Sequence, residues 1–391
     1  MKITVPTIDF GTSKIVTMVA QSNGERCDIV GSGAVPYSGY LQDGWNNPDE
    51  IRDVIRTAID QAQKTGNCRI HELNVGVPGM FTRVIVKEVH VSLTGPDPHV
   101  TAQDVRACFK LAEESGGDRI IHSAPAWFRV DDGKKTLSPV GIKGRELSAM
   151  IALVTADKYF IDDITYRLRD MDIEPREFYS TVAGEATYAL SQDERDKTAM
   201  LIDIGYLCTD VMVMEGDALI FHKCLDIGGG HISADIAEQL NIPFPFVEEK
   251  IKQTYSFNST NQDETYVIPA TEDEPARTVR RDEVTPIIEA KVEEIAEAIN
   301  KALEEGGVKL GKWSNVYLTG GGLILNKGFL AGKLHRIIRE AQRTNNKMTS
   351  HVFSSAVGLT ILVVTTQEEQ KAPEGGAKGL FSRAFRWLMG Y

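Results

Sequence analysis

Cysteine is scarce in this chain, and its placement excludes several kinds of protein. Five of the 391 residues are cysteine, an odd number, and no two of them have the Cys-x-x-Cys spacing. A secreted disulfide framework needs an even set, and a zinc finger or ribbon needs closely paired cysteines. We therefore expect reduced thiols, a cytosolic chain and no zinc site. The cysteines are Cys27, Cys68, Cys108, Cys208 and Cys224.

Long apolar runs and positive charge are also missing. No stretch of eighteen apolar residues occurs, and no basic and apolar leader precedes the first predicted strand, residues 3–10. We therefore expect neither secretion nor a membrane-spanning helix. The formal net charge is −12, and no stripe of lysine and arginine interleaved with aromatics appears, which argues against nucleic acid as a partner. The apolar fraction of 42% is that of a globular protein with a packed core.

One short motif occurs twice. The first copy is IDFGTSK at residues 8–14, and the second is IDIGYLCTD at residues 202–210. Each predicts a strand, a tight turn and a second strand, with an aspartate beside the turn. Turns rich in glycine, serine and threonine direct backbone N–H groups at phosphate, and the aspartate can hold the accompanying divalent cation. The second copy departs from this pattern, because Tyr206 and Leu207 stand where a phosphate-binding turn favours glycine.

The order of the predicted elements indicates a mixed α/β fold with an insertion and an internal repeat. After the first hairpin and a strand near residues 73–77, four segments predict a small β-α-β-β unit. These segments are residues 84–93, 102–114, 119–130 and 147–154. A helix of small residues at 180–190 can pack close to a neighbouring backbone. The strand and hairpin pattern then restarts at residues 200–224, and residues 284–304 form a long amphipathic helix.

Further glycine-rich turns lie in the second half. DIGGGHIS at residues 226–233 precedes a predicted helix, and TGGG at residues 319–322 follows a predicted strand. Such turns let a backbone approach a base or ribose, although a glycine triplet alone is more often a plain loop. Glu249 and Lys252 lie three positions apart on one predicted helix, where they could bridge a ribose hydroxyl. A solvent-exposed ion pair is the alternative.

In their order along the chain, these segments resemble those of the actin, Hsp70 and hexokinase superfamily. The matching motifs are IDFGTSKI at 8–15, LIDIG at 201–205 with TD at 209–210, LDIGGGHIS at 225–233, LTGGG at 318–322 and FSSAVGL at 353–359. GVPG at 76–79 and above all SPVGIKGREL at 138–147, inside the inserted unit, narrow the resemblance to the FtsA family of bacterial actin homologues. It runs from residue 3 to residue 362 and includes IIEAKVEE at 287–294. Actin, Hsp70 and sugar kinases lack the insertion at that place.

The resemblance implies an α/β actin-like two-lobed ATPase fold, built of duplicated ribonuclease-H-like subdomains with an FtsA-type inserted small α/β subdomain. The implied parts are residues 1–84 and 158–195 as the first actin-like subdomain, 85–157 as the insertion, 196–229 and 305–364 as the second actin-like subdomain, 230–304 as its small upper subdomain, 365–378 as a flexible linker and 379–391 as an amphipathic membrane-targeting helix.

The resemblance also implies ATP and Mg²⁺ as cofactors, and it assigns residues to them. Asp9 and Asp203 would hold Mg²⁺ through water. The β- and γ-phosphates would be contacted by Gly11, Thr12, Ser13 and Lys14, and the opposing turn would be formed by Asp203, Gly205 and Thr209. Ribose and adenine would be enclosed by Gly228, Gly229, Glu249, Lys252, Gly320, Gly321 and Gly322. If the backbone at Tyr206 and Leu207 needed positive φ, these side chains would strain it. No residue is identified as a general base, and we expect slow or absent ATP hydrolysis with retained binding.

The last residues predict an amphipathic helix. At about 100° per residue, one arc holds Leu380, Phe381, Ala384, Phe385, Trp387, Leu388 and Met389, and the remainder holds Ser382, Arg383 and Arg386. Partial burial of the apolar arc in an anionic membrane, helped by the two arginines and Lys378, gives reversible attachment worth a few kcal/mol. The membrane contacts would be Leu380, Phe381, Arg383, Phe385, Arg386, Trp387 and Leu388. The alternative is a helix that docks on its own core or on a partner.

The resemblance and the tail together imply a cell-division protein that binds ATP, forms actin-like filaments and tethers the FtsZ ring to the inner face of the cytoplasmic membrane at the division site. FtsZ, further copies of the chain, anionic lipid and other division proteins would be its partners. A sugar or acetate kinase of the superfamily is an alternative, but it would need an aspartate base and would have no use for the tail. A pilus-assembly relative shares the insertion but is not expected to end in such a helix. An Hsp70-type chaperone would need a β-rich substrate domain after Leu362.

Overall fold

The computed structural model describes residues 3–24, 26–41, 44–114, 116–117, 119–255, 264–270, 275–310, 315–324, 334, 338–340 and 351–371. The strands in these ranges are β1 Ile3–Phe10, β2 Lys14–Ser22, β3 Cys27–Pro36, β4 Tyr40–Leu41, β5 Gly44–Trp45, β6 Glu72–Val77, β7 Thr82–Ser92, β8 Ile120–Val130, β9 Glu146–Ala156, β10 Glu174–Ser180, β11 Ala199–Ile204, β12 Thr209–Glu215, β13 Ala218–Leu225, β14 Thr265–Ile268, β15 Arg277–Arg280, β16 Asn315–Thr319 and β17 Ile338–Glu340.

Helices cover these sheets. The α-helices are α1 Ile51–Gly66, α2 Ala102–Glu114, α3 Lys158–Arg169, α4 Thr181–Ala189, α5 Gln192–Arg195, α6 Gly229–Gln239, α7 Phe244–Phe246, α8 Lys252–Thr254, α9 Arg281–Glu305 and α10 Ser354–Lys371. A π-helix, Val247–Ile251, joins α7 to α8, and within the described ranges 3₁₀ turns occupy Gly79–Phe81, Gly321–Ile324 and His351–Phe353.

Two five-stranded sheets have the same topology, which is the structural form of the predicted repeat. In the first, the order is β10-β6-β1-β2-β3, with β1 antiparallel to β2 and parallel to β6. In the second, the order is β17-β16-β11-β12-β13, with β11 antiparallel to β12 and parallel to β16. Each sheet is therefore a central hairpin flanked by parallel strands on one side. This duplicated mixed α/β arrangement confirms the predicted fold class.

The helices form where apolar residues recur on one face and end where local signals stop them. In α1 the buried residues recur three and four positions apart and pack on the first sheet. Asn67 ends that helix in the left-handed conformation, at φ 46°. At the start of α3, the Asp157 carboxylate accepts a hydrogen bond from the Tyr159 N–H at 2.7 Å.

The inserted unit is a three-stranded antiparallel sheet, in the order β7-β9-β8, with α2 packed on it. Its own core includes Val100, Cys108, Phe128, Leu147 and Leu153. Within the described residues it has the predicted β-α-β-β order, and its last strand, Glu146–Ala156, is longer than the predicted 147–154. A separate core of this kind lets the unit stand as an addition to the duplicated fold.

Helices α4 and α10 cross with their backbones in contact. A Cβ atom added to Gly184 would lie 2.9 Å from the carbonyl carbon of Gly358, and one added to Gly358 would lie 2.5 Å from Glu185 Cα. No side chain fits at either position, because the neighbouring atoms are main-chain atoms that cannot rotate away. The small-residue helix predicted at 180–190 thus makes the close approach that its composition allows.

Helix α10 also corrects the start of the predicted linker. The linker was expected from residue 365, whereas the helix continues to Lys371. Gln367 is buried, and its side chain donates to Asn74 Oδ1 at 3.2 Å. A segment rich in glutamate is expected to be exposed to solvent and irregular. The contact with β6 instead keeps its first residues in the helix. The remainder of the predicted linker, the predicted helix at 379–391 and its proposed membrane contacts lie outside the described residues.

A buried ion pair joins α5 to the turn between β12 and β13. Arg195 is fully buried, and its guanidinium lies 3.3 Å from Asp217 Oδ1. It also donates to the carbonyl oxygens of Gly216, Thr187 and Leu190. Burial raises the pKa of Asp217 to about 6, and the guanidinium opposes that rise. The charge is therefore held by several acceptors at once.

Candidate functional site

The turns of the two central hairpins have the same geometry. The Gly11 N–H donates to the Lys14 carbonyl at 3.1 Å, and the Gly205 N–H donates to the Cys208 carbonyl at 2.9 Å. Each turn therefore spans four residues and begins with glycine. Neither Tyr206 nor Leu207 is among the described residues with positive φ. The substitution of glycine in the second turn leaves its backbone unstrained.

The two turns face each other across a cleft and touch. The Leu207 N–H donates to Thr12 Oγ1 at 3.0 Å, which pairs an amide of the second turn with a hydroxyl of the first. The Tyr206 ring lies beside the cleft, 5.2 Å from Lys252 Nζ. The second turn therefore presents an aromatic ring and an amide that is already hydrogen-bonded to Thr12. A glycine-rich turn would present backbone N–H groups with no side chain in front of them.

Most of the predicted site residues line this one cleft. Those that do are Asp9, Gly11, Thr12, Ser13, Lys14, Asp203, Gly205, Lys252, Gly320, Gly321 and Gly322. Gly228 and Gly229 lie behind it: the Gly229 N–H donates to the Gly205 carbonyl at 2.9 Å, and a Cβ on Gly228 would lie 2.7 Å from the Tyr206 carbonyl oxygen. These two glycines support the second turn and do not face the cleft.

Thr209 and Glu249 do not line the cleft, contrary to the expectation for them. Thr209 is fully buried, and its hydroxyl donates to the Ile227 carbonyl at 2.7 Å. Of the neighbouring residues Cys208 and Thr209, Cys208 is the one that lines the cleft. Glu249 is exposed, and Glu248 lines the cleft and accepts a hydrogen bond from Lys252 Nζ at 3.0 Å. The π-helix accounts for this, because an i→i+5 turn shifts which side chains share a face.

A cluster of buried carboxylates lies at the base of the cleft. Asp9 and Asp203 were predicted there, and Glu185 and Asp210 join them. Asp203 Oδ1 and Glu185 Oε1 are buried with no hydrogen-bond partner among the described residues. Unpartnered carboxylate oxygens beside one another are the ligands that a hard divalent cation prefers. The residues present therefore fit Mg²⁺.

Burial and the repulsion between neighbouring carboxylates shift the pKa values of the groups in this cluster. Burial raises the pKa of Asp9, opposed by a hydrogen bond from Ser355 Oγ, at 2.8 Å, and by Lys14. Burial and the charge of Asp210 raise the pKa of Asp203 to about 7, and burial holds the pKa of Glu185 well above its usual range. Burial lowers the pKa of Lys14. A bound cation would favour the ionised carboxylates.

Raising the pH from about 4 to about 7 is expected to lower the free energy of unfolding of the metal-free protein. Folded Asp203 keeps a proton up to a pKa of about 7, whereas in the unfolded chain an aspartate releases it near about 3.9. The stabilisation is therefore complete below the lower value and lost as the pH rises through the higher one, by up to about 1.4 kcal/mol per pH unit for one proton.

Urea unfolding in a chelator at several pH values measures this slope. Asp203→Asn should make the slope shallower, with Asp9 and Glu185 supplying what remains. Asp132→Asn, at an exposed position of the insertion, should leave it unchanged. An equal slope in wild type and Asp203→Asn would contradict the assignment.

The duplicated sheets, the paired hairpins and the acidic cleft between them define the class: an actin-like two-lobed α/β protein with an inserted domain. Comparisons with known proteins agree. The family model for the cell-division protein FtsA matches residues 200–358, and the model for the SHS2 domain inserted in FtsA matches residues 79–155. Together they cover more than half of the chain. The chain belongs to the FtsA family of cell-division proteins.

Curated relatives agree with the family, and solved structures agree with the fold. The FtsA proteins of Pseudomonas aeruginosa and Bacillus subtilis are each 26% identical, over 80% and 77% of this chain and 76% and 70% of their own length. In fold, the chain is similar to a PilM-PilN type IV pilus biogenesis complex, with TM-score 0.61, 17% identity and coverage of 93% and 99%. It is also similar to MreB 5 of Spiroplasma citri bound to AMPPNP, with TM-score 0.56, 11% identity and coverage of 94% and 98%.

No helix in the described part of the chain is both long and apolar enough to cross a membrane. Within those residues, reasoning from sequence missed Glu185, Asp210, Glu248 and Ser355 as cleft residues. Of these, Asp210 had a local signal, since it lies in the TD pair that ends the second motif. The others come to the cleft from elements whose positions depend on the whole fold.

Proposed function

We propose that this chain is an actin-like division protein that binds ATP with Mg²⁺, assembles into filaments and tethers FtsZ to the membrane. The observation that carries the nucleotide part is the pair of facing hairpin turns, with Lys14 and the buried carboxylates between them. Membership of the FtsA family supports the division role. The proposed boundaries of the domains are those predicted above, except that the linker starts after Lys371. The match at residues 79–155 supports a separate insertion.

The first turn, residues 11–14, is the proposed phosphate-binding turn. Its backbone N–H groups and the Lys14 ammonium would favour anionic oxygens in a cleft where carboxylates outnumber ammonium groups. Asp9 and Asp203 would hold Mg²⁺ through water, and Mg²⁺ supplies neutralisation of phosphate charge when bound. Support comes from Asp203 Oδ1, which is buried and has no hydrogen-bond partner among the described residues, and from the AMPPNP bound to a protein of similar fold.

Hydrolysis is proposed to be slow. The Leu207 amide is paired with Thr12 across the cleft, so it is less available to a terminal phosphate than an amide in an open glycine turn. Bound nucleotide would then act mainly by holding the two lobes together for assembly. A robust steady-state ATPase activity of the purified chain would argue against this part of the proposal.

Deleting residues 379–391 is expected to abolish binding to anionic vesicles and recruitment of FtsZ to them. The apolar arc of the predicted tail helix supplies a few kcal/mol of reversible attachment per chain, and a filament multiplies it by carrying many tails. The measurement is cosedimentation of the full chain, with ATP and FtsZ, on vesicles containing anionic lipid.

Two point variants make this experiment specific. Trp387→Glu places a charge on the apolar arc and should release the protein about as fully as the deletion, whereas Ser382→Ala on the polar side should leave binding intact. Retention of the deletion variant on the vesicles would refute the membrane assignment. Membrane binding without FtsZ in the pellet would refute the tether while sparing the membrane helix.

A further inference from the structure

We propose that Cys208, Asp210 and Cys224 form a second cation site, for a thiophilic divalent ion of which zinc is the best match. The two sulfur atoms and a carboxylate oxygen of Asp210 lie within 4.8 Å of one another. The group shares Asp210 with the carboxylate cluster of the cleft, but it contains neither Asp9 nor Asp203, the pair proposed for Mg²⁺.

The second hairpin and its next strand build this group. Asp210 on β12 pairs directly with Cys224 on β13, and Cys208 precedes Asp210 by two positions, which puts all three on one face of the sheet. The sequence analysis predicted no zinc site, because no two cysteines have the Cys-x-x-Cys spacing. The pairing of β12 with β13 brings the two cysteines together, and a contact made in this way leaves no short cysteine motif in the sequence.

A shared cation explains this group better than a disulfide does. Cys208 is diagonal to Cys224 across the two strands, and diagonal neighbours have Cα atoms about 7–8 Å apart, beyond the usual 4.4–6.8 Å of a disulfide. Thiolate sulfur and carboxylate oxygen are both ligands that zinc takes in proteins. Mg²⁺ and Ca²⁺ prefer oxygen alone, and a carboxylate disfavours Cu⁺.

A buried histidine orients the carboxylate. His222 Nε2 lies 2.7 Å from Asp210 Oδ1, and the His222 side chain is 1% exposed. This contact fixes the orientation of the carboxylate, as outer partners of metal ligands do. Gly79 packs against the same pair: a Cβ there would lie 2.1 Å from Asp210 Oδ1. The glycine that ends the GVPG motif thereby makes room for the Asp210 and His222 contact.

The site is open on one side. Three protein donors leave one position of a tetrahedral zinc ion free, the arrangement of reactive rather than purely structural sites. Cys208 and Asp210 both line the cleft, so water or an anionic oxygen could complete the coordination from there. The cleft would then hold a soft cation beside the second turn and a hard one among the carboxylates.

Titration of the reduced, chelator-treated full chain with Co²⁺ tests this site, since cobalt bound to thiolate gives a ligand-to-metal charge-transfer absorption. We expect that absorption to saturate at one equivalent and to disappear on addition of Zn²⁺. Cys208→Ser and Cys224→Ser should abolish it, and Cys68→Ser, in the first lobe, should retain it. His222→Ala should keep the absorption and weaken affinity about 10–100-fold.

Two results would overturn the proposal. One is the absence of charge-transfer absorption when the wild-type chain is titrated past one equivalent, a measurement that depends on no variant folding. The other is absorption that persists in both Cys208→Ser and Cys224→Ser, which would place the cobalt on other thiols. Neither outcome bears on ATP binding, which is measured separately.

Discussion

Changing Tyr206 and Leu207 together to glycine is expected to raise the affinity for ATP about 10–100-fold. The double change removes the ring that lies beside Lys252 in the cleft and gives the second turn the backbone freedom to direct its amides at phosphate. One additional hydrogen bond to a charged oxygen is worth about 1.5–3 kcal/mol, which corresponds to that range of affinity.

Titration with a fluorescent ATP analogue in the presence of Mg²⁺ measures this gain. Tyr206→Phe is the matched control, because it keeps the ring and the turn and should leave affinity unchanged. An affinity that falls in the double glycine variant, with the protein still folded, would mean that Tyr206 contacts the nucleotide favourably. The second turn would then be an adapted binding surface.

Asp217→Ala is expected to lower the free energy of unfolding by about 3–5 kcal/mol. It removes the carboxylate beside a fully buried arginine, and an uncompensated buried charge costs about that much. The carbonyl oxygens around Arg195 remain as acceptors, so the loss should fall toward the lower end of the range.

Urea unfolding followed by circular dichroism measures the loss as a lower midpoint. Asp97→Ala is the matched control: its partner is Lys143, and both side chains are at least 70% exposed, so the change should stay within about 1 kcal/mol. Equal losses in the two variants would show that the Arg195 pair contributes no more than a surface contact.

The duplicated hairpins could be predicted because their signals are local. Alternating apolar residues and a turn beginning with Gly11 or Gly205 determine a hairpin within about fifteen residues, and the structure has both. Register inside the second turn was harder to predict. A shift of one residue exchanges the two faces of a strand, and this is why Cys208 faces the cleft and Thr209 lies in the core.

The acidic cluster shows what sequence reasoning could not supply. Glu185 lies within a helix of small residues, and nothing near it in sequence marks a charged function. It reaches the cleft because Gly184 and Gly358 let α4 and α10 touch. In the same way, Glu248 lines the cleft in place of the predicted Glu249, because one helical turn is of the π type. Both outcomes depend on long-range packing and backbone geometry, which periodicity does not encode.

Helix α10 has a mechanical consequence. Its 18 residues span about 27 Å, and its first turn holds the Asp9 carboxylate through Ser355. Its middle is fixed to β1 by Thr360 and its far end to β6 by Gln367. A force applied to the chain beyond Lys371 therefore acts on one stiff helix, and the other end of that helix contacts the cleft. Tension on a tethered chain would change ligand binding in the cleft, and ligand binding would change the response to tension, because helix α10 connects the two.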